Sequence, residues 1–263
     1  MKQKGQFVLF NKEEFKEWID KITVKREIKL IQNHHTYLPD YKSFKNNHFT
    51  LLENMKAYHV NSAGMRDIAQ NITTFPDGTI AVCRQLDTVP AGIKGRNTGA
   101  ICIEHLGNFD SDIMTEEHKE TIIFVNAVIC IRFNLKPTTT TIVYHHWFDL
   151  NSGEFVANNG YRNTKTCPGT KFFGGNTVEA ANKNFIPLII KEMEEMKFMT
   201  VFKDLVKNGK KHWAADLIEK AAEIGIVKGI EQEDRSVIFN PDAPITRAEA
   251  VALIMRAIEY VKN

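Results

Sequence analysis

The segment Lys165-Thr166-Cys167-Pro168-Gly169 places a thiol in a polar loop. Two paired histidines precede it, His34-His35 and His145-His146, each after an apolar, β-branched run. Two imidazoles and one thiolate can hold a zinc ion and leave its fourth position to water, the arrangement of a metal hydrolase. Successive strand residues point to opposite faces, so one histidine of each pair is the expected ligand. Spacing alone does not choose which.

Two further residues have suitable chemistry. Glu104 ends an apolar run in which Ala100, Cys102 and Glu104 share a strand face. A carboxylate there can take a proton from water and pass it to a departing amine. Lys165 shares a face with Cys167 in an extended segment, and its ammonium can stabilise an oxyanion. The ordinary fates of these residue types are a surface ion pair and a solvated side chain.

The elements that must position these groups are readable. Asn11-Lys12-Glu13-Glu14 has the form of a capping box before a short helix with Phe15, Trp18 and Ile19 on one face. Residues 28–33 read as a buried strand delivering His34, and residues 48–60 as a helix with Leu51, Leu52, Met55 and Tyr58 inward. Residues 72–75 and 80–82 flank the turn Pro76-Asp77-Gly78 and predict a hairpin. Residues 100–104 and 139–144 read as strands, and 115–133 and 178–196 as helices. The mixture predicts an α/β fold: a central mixed β-sheet flanked by helices. The character changes near Thr200, so the expected domains are 1–198 and 199–263, the second small and all-α.

Composition narrows the function classes. The 263 residues carry a net charge of +2 with lysines spread among acids, which gives no nucleic-acid stripe. The longest apolar run, 121–133, is too short to span a bilayer. Cys83, Cys102 and Cys130 lie in apolar runs and are expected as reduced core thiols, whereas Cys167 is not. The N-terminus shows basic residues without an apolar stretch, so no secretory signal is read.

Five pieces in order resemble the type 2 N-acetylmuramoyl-L-alanine amidases, a family that includes phage lysins and peptidoglycan recognition proteins. They are Ile31-Gln32-Asn33-His34-His35-Thr36; Met65-Arg66-Asp67-Ile68-Ala69 with Pro76-Asp77-Gly78-Thr79-Ile80; the segment from Arg96 to Glu104; Ile142-Val143-Tyr144-His145; and Lys165-Thr166-Cys167-Pro168-Gly169. The resemblance implies the amidase type 2 fold and a Zn2+ ion on His34, His145 and Cys167, with His35 and His146 pointing away in packing or supporting roles. It implies cleavage of the amide between N-acetylmuramic acid and L-alanine of the stem peptide, with bacterial peptidoglycan as substrate. Asn97 is a weaker candidate for contact with glycan or peptide.

Departures from the family pattern bear on mechanism. Gln70 and Asn71 stand where many members have Tyr-His, and Met65 replaces a tryptophan. Members lacking that tyrosine place a catalytic glutamate at the position of Glu104. The interval from His145 to Cys167 is also long, with extra residues around 150–160. Two alternatives stand beside the amidase. One is a non-catalytic recognition protein, although such relatives commonly lose the cysteine. The other is a cysteine peptidase using Cys167 and His145.

Residues 202–259 resemble one S-layer homology repeat, on Phe202-Lys203-Asp204, His212-Trp213-Ala214, Gly225 to Gly229, Phe239-Asn240-Pro241-Asp242 and Ile245 to Glu249. Trp213, Leu217, Ile218 and Ala221 read as one helix face, and Val251, Ile254 and Ile258 as the buried face of a second helix capped by Thr246 and Glu249. The resemblance implies binding to a secondary cell-wall polysaccharide, with Arg247 at a helix start suited to an anion. Such repeats usually act in threes, so either chains associate as a homo-oligomer or the single repeat binds weakly. Together these readings imply a protein made in the cytoplasm and acting at the bacterial cell wall.

Overall fold

The β-branched runs assemble into one seven-stranded sheet: β1 (Lys2–Lys4), β2 (Phe7–Phe10), β3 (Leu30–His35), β4 (Ile72–Thr74), β5 (Ile80–Val82), β6 (Ala100–His105) and β7 (Ile142–Tyr144). Their spatial order is β1-β2-β5-β4-β6-β3-β7. The pairs β4–β6, β6–β3 and β3–β7 are parallel, and the other three are antiparallel. This is the expected α/β mixed sheet. The computed structural model describes residues 1–157, 163–199, 202–207, 210–233 and 236–262. The chain divides into two compact units, Met1–Met193 and Glu194–Asn263.

Helices cover both faces of the sheet. In α1 (Lys12–Lys21) the Asn11–Glu14 capping box forms, and Phe15 and Ile19 are fully buried. Each such burial stabilises by about 1.5–3 kcal/mol. Helix α2 (His48–Asn61) buries Leu51, Leu52 and Met55 against Phe7, Leu9, Ile68 and Phe75. Tyr58, expected inward, is instead 64% exposed, at the rim of a cleft. Helix α3 (Glu116–Arg132) starts at its cap Thr115 and buries ten residues, including Cys130.

The expected single helix over 178–196 is interrupted. It comprises α4 (Val178–Ala180), a π-helical turn (Ala181–Phe185) and α5 (Ile186–Met199). The physical reason is Pro187, which has no N–H to give the Lys183 carbonyl and whose ring crowds that turn.

A chain of buried polar side chains links β3, β4 and β6 to α3. Asn33 and Asn126 exchange carboxamide hydrogen bonds at 3.1 and 3.0 Å. His105 Nε2 donates to Asn33 Oδ1 at 2.9 Å, so its Nδ1 accepts from Thr74 Oγ1 at 2.8 Å. His118 Nε2 then donates to Thr74 Oγ1 at 2.7 Å, and Tyr41 O–H donates to His118 Nδ1 at 2.8 Å. Each imidazole therefore has one donor and one acceptor nitrogen in use, the neutral form. Burial pushes His118 down to about 3 and His105 far below the ordinary histidine value.

The second unit differs from expectation in three ways. It is not purely helical: β8 (Val206–Lys207) pairs with β9 (Lys210–Lys211), and β10 (Ile230–Glu231) with β11 (Val237–Ile238). Its core is Phe202, Leu205, Ala215 and Ile218 with Val227, Val237 and Phe239 around them. Trp213 is not core. It lies in the turn that precedes α6 (Ala215–Glu223) and is 85% exposed. Leu217 is also exposed. Within α7 (Arg247–Lys262) the Thr246–Glu249 capping box forms, yet Val251, Ile254 and Ile258 are exposed, because Phe202, Leu205 and α6 supply the core instead. Among the described residues no helix is long and apolar enough to cross a membrane.

Candidate metal centre

Three neighbouring parallel strands end together. His34 lies near the end of β3, Glu104 pairs with it in register on β6, and His145 follows directly on β7. Ligand sites in open α/β sheets form at such carboxyl ends. The His34 and His145 rings meet edge to face, with centroids 4.8 Å apart.

Cys167 reaches the same point from a loop held at several places. The His146 backbone N–H donates to the Cys167 carbonyl at 2.7 Å. The ring Nδ1 of His146 donates to the Lys165 carbonyl at 2.6 Å, which fixes that ring as the Nδ1–H tautomer. Asn176 Nδ2 donates to the Thr166 carbonyl at 2.8 Å. Asp110 accepts from Thr166 Oγ1 at 2.6 Å and from the Thr170 N–H at 2.7 Å. Gly169 has φ +114°, and a Cβ there would sit 2.5 Å from the Phe109 backbone, so only glycine fits this approach. The loop is polar in sequence, but the Cys167 thiol itself is buried, contrary to the expectation that it stands apart from the buried thiols.

The ligand atoms of His34, His145 and Cys167 all lie within 4.8 Å of one another. Cys167 Sγ is 3.6 Å from His34 Nδ1. Zinc bonds of about 2.3 Å to sulfur and 2.0–2.1 Å to nitrogen, at a tetrahedral angle, separate the two donors by about 3.6 Å. The donor set therefore fits zinc in type, and the Cys167–His34 pair fits it in spacing.

Electrostatics point the same way. Burial pushes His34 well below the ordinary histidine value, with His145 adding to the effect, and pushes His145 to about 4, with Lys165 adding to it. Both imidazoles are therefore neutral and have a lone pair to give. Burial, and then the nearby Glu104, raises the Cys167 thiol. A cation is the partner that reverses this and favours the thiolate.

Glu104 is pushed up to about 8 by burial, with the Lys165 ammonium pulling in the opposite direction. Both residues line a cleft of about 1100 Å³ that also contains the three candidate ligands. Thr36, Tyr37 and Leu38 form one wall, Leu51, Met55 and Tyr58 of α2 another, and Ala91 and Gly92 a third. His35 borders the cleft but takes the packing role expected: its ring lies against Phe109, and its Nδ1 accepts the Phe109 N–H at 3.1 Å.

Asn97 is not brought to the cleft lining. Its Oδ1 accepts from the Gly92 and Ile93 N–H groups at 2.9 and 3.0 Å, so it braces the 92–97 loop rather than facing a ligand. Gln70 is fully buried and donates to Thr73. Of the extra residues at 150–160, those after 157 lie outside the described residues. The rest fold back on Phe148, and Arg96 Nε donates to the Gly153 carbonyl at 3.2 Å. Arg247 is the first residue of α7 and is exposed, in the second unit. His146 takes a supporting role, as expected, whereas those of Asp110 and Asn176 are not visible in the sequence, because their partners are backbone groups or residues far along the chain.

Residues 24–170 match the sequence profile of the N-acetylmuramoyl-L-alanine amidase family, more than half of the chain. The chain belongs to this amidase family. All four of His34, Glu104, His145 and Cys167 fall inside the matched span of the amidase domain. Residues 202–251 match the S-layer homology domain. Among curated proteins the chain is similar to peptidoglycan-recognition protein SC2 of Drosophila melanogaster, 34% identical over 82 residues. That alignment covers 31% of this chain and 44% of the relative, so the chain spans less than half the length of the curated relatives it matches. Similar solved structures include Drosophila PGRP-LB, at 16% identity and a TM-score of 0.44, covering 61% of this chain and 83% of that one. Another is an endolysin N-acetylmuramoyl-L-alanine amidase, LysCS, from Clostridium intestinale, at 19% identity and a TM-score of 0.43, covering 60% and 84%.

Proposed function

We propose that this protein is a zinc-dependent peptidoglycan hydrolase that cleaves the amide between N-acetylmuramic acid and L-alanine. The observation that carries the reading is the convergence of two neutral imidazoles and a thiol, their ligand atoms within 4.8 Å of one another, inside a cleft and beside a carboxyl group. His34, His145 and Cys167 would hold the ion. Zinc supplies Lewis acidity, polarising a carbonyl and lowering the pKa of water.

The chain's own residues do the rest. Glu104 takes the proton of the attacking water and delivers it to the departing L-alanine amine. Lys165 opposes the charge that develops on the scissile oxygen. The walls from Thr36 to Leu38 and from α2 orient the stem peptide and exclude bulk water. Burial raises the Cys167 thiol, which weighs against the cysteine peptidase reading, since a nucleophilic cysteine needs a lowered pKa.

Within this proposal residues 1–198 are the catalytic part and residues 199–263 hold the enzyme to a secondary cell-wall polysaccharide. The S-layer homology match supports that second role, and Arg247 is its proposed anion contact. The test is end-group analysis of digested walls. New L-alanine amino ends without new reducing sugars, abolished by a chelator, are expected. New reducing ends would make the protein a glycosidase, and binding without any new ends would make it a recognition protein.

A further inference from the structure

Among the described residues, His34 Nε2 is a buried ring nitrogen without a hydrogen-bond partner. The other ring nitrogen, Nδ1, is the one that faces Cys167. An imidazole that gives its Nδ1 lone pair to a metal carries its remaining proton on Nε2. A buried N–H without an acceptor is unfavourable, and ligating histidines ordinarily donate theirs to an oxygen, which fixes both tautomer and ring orientation.

Gln32 carries an acceptor oxygen that borders the same space as that nitrogen. It lies two residues before His34 on β3, on the same face of the sheet, and is fully buried. Its Nε2 donates to the Arg96 carbonyl at 2.8 Å. That bond fixes the carboxamide orientation, because a carbonyl can only accept. Its Oε1 therefore faces residues 92–93 and, among the described residues, accepts the Ile93 N–H alone, at 3.2 Å. A carboxamide oxygen has two lone pairs, so one remains.

Gly92 is where the two side chains meet. A Cβ at this position would lie 2.2 Å from Gln32 Oε1, 3.0 Å from His34 Nε2 and 2.9 Å from Cys102 Sγ. The missing side chain lets the ring and the carboxamide share one space. The Cys102 sulfur borders the same space but is a weak acceptor.

We propose that Gln32 is the positioning residue of His34: its Oε1 accepts the Nε2 proton and so reserves Nδ1 for the metal. This rests on the reading of His34, His145 and Cys167 as a zinc site. Gln32 is not in the cleft lining and does not touch substrate in this scheme; it acts through the ligand.

The test is zinc affinity of the full chain, measured by competition with a chromophoric chelator. Gln32→Met, similar in length but without an acceptor, is expected to bind zinc about 10–100-fold more weakly. Cys102→Ala, which alters another border of that space and leaves the acceptor in place, should bind like wild type. A second measurement needs no variant. In the zinc-loaded wild type, nitrogen NMR should show the His34 proton on Nε2 and exchanging slowly with solvent. Wild-type affinity in Gln32→Met, with only a lower melting temperature of the metal-free protein, would make Gln32 a packing residue and overturn the inference. A His34 proton on Nδ1 would do the same, even if every variant misfolded. Wild type that binds no zinc would instead bring down the metal site itself, and this inference with it.

Discussion

The sulfur of Cys167 stands 3.6 Å from Nδ1 of His34, though 133 positions separate the two residues in the chain. Nothing local explains that approach. It is produced by the parallel pairing of β3 with β7, which carries His145 alongside, and by the hydrogen bonds that hold residues 165–170 to His146, Asp110 and Asn176. The result is a buried thiol, one buried and one half-buried imidazole, both neutral, and a carboxyl group at one cleft, a set of donors matched to a divalent cation.

Replacing Glu104 by glutamine removes the proposed proton carrier and keeps the shape. Activity on purified walls should fall by about 10²–10⁴-fold. Zinc content should stay at the wild-type value. Wild-type lysis by Glu104→Gln would remove the residue from the mechanism.

Lys165 pulls the Glu104 carboxyl down against the effect of burial, which pushes it up to about 8. Lys165→Met should therefore raise the Glu104 pKa further. A general base works only when ionised, so the acidic limb of the pH–rate profile should move to higher pH. The rate at the optimum should also fall, by about 10²–10³-fold, if the ammonium opposes the oxyanion. An unmoved limb would show that the two groups are not coupled.

His118 is held neutral between Tyr41 and Thr74, with its value at about 3 against an ordinary 6.5. Below pH 6.5 the unfolded chain therefore binds a proton that the folded one refuses. The stability is complete above pH 6.5 and is lost as pH falls from there towards 3. The slope is at most about 1.4 kcal/mol per pH unit for this group. Denaturant unfolding of the chelator-treated protein should show this slope added to those of His34, His105 and His145, and a smaller total in His118→Gln. An equal slope in the two proteins would assign the acid sensitivity elsewhere.

Gly153 has φ +72°, and a Cβ there would lie 2.0 Å from the Lys94 carbonyl oxygen. Gly153→Ala should destabilise the first unit by about 1–3 kcal/mol through backbone strain alone, and by more if Lys94 cannot move. Thermal unfolding measures this. An unchanged midpoint would mean that the 148–156 segment does not pack on the 94–96 loop as described.

The sequence is legible where its signal is local. The Asn11–Glu14 and Thr246–Glu249 caps, the β4–β5 hairpin and the burial of Cys83, Cys102 and Cys130 follow from residues near one another or from plain apolar runs. The site is legible because His34, Glu104 and His145 each stand at or near the end of a strand, and parallel strands bring their ends together. What the sequence hides is long-range or all-or-none. The exposure of Trp213 and of the α7 apolar stripe depends on which residues fill a small core, and periodicity cannot rank them. The break before Pro187 depends on a single missing N–H. Asn97 has the carboxamide that suits a sugar, yet its oxygen is committed to the Gly92 and Ile93 N–H groups.

The most direct test is the zinc content of the full chain after dialysis, by elemental analysis. One zinc per chain is expected for wild type, with little retained by His34→Ala, His145→Ala or Cys167→Ser. A wild type without zinc, or a Cys167→Ser variant that keeps a full equivalent, would contradict the metal centre described here.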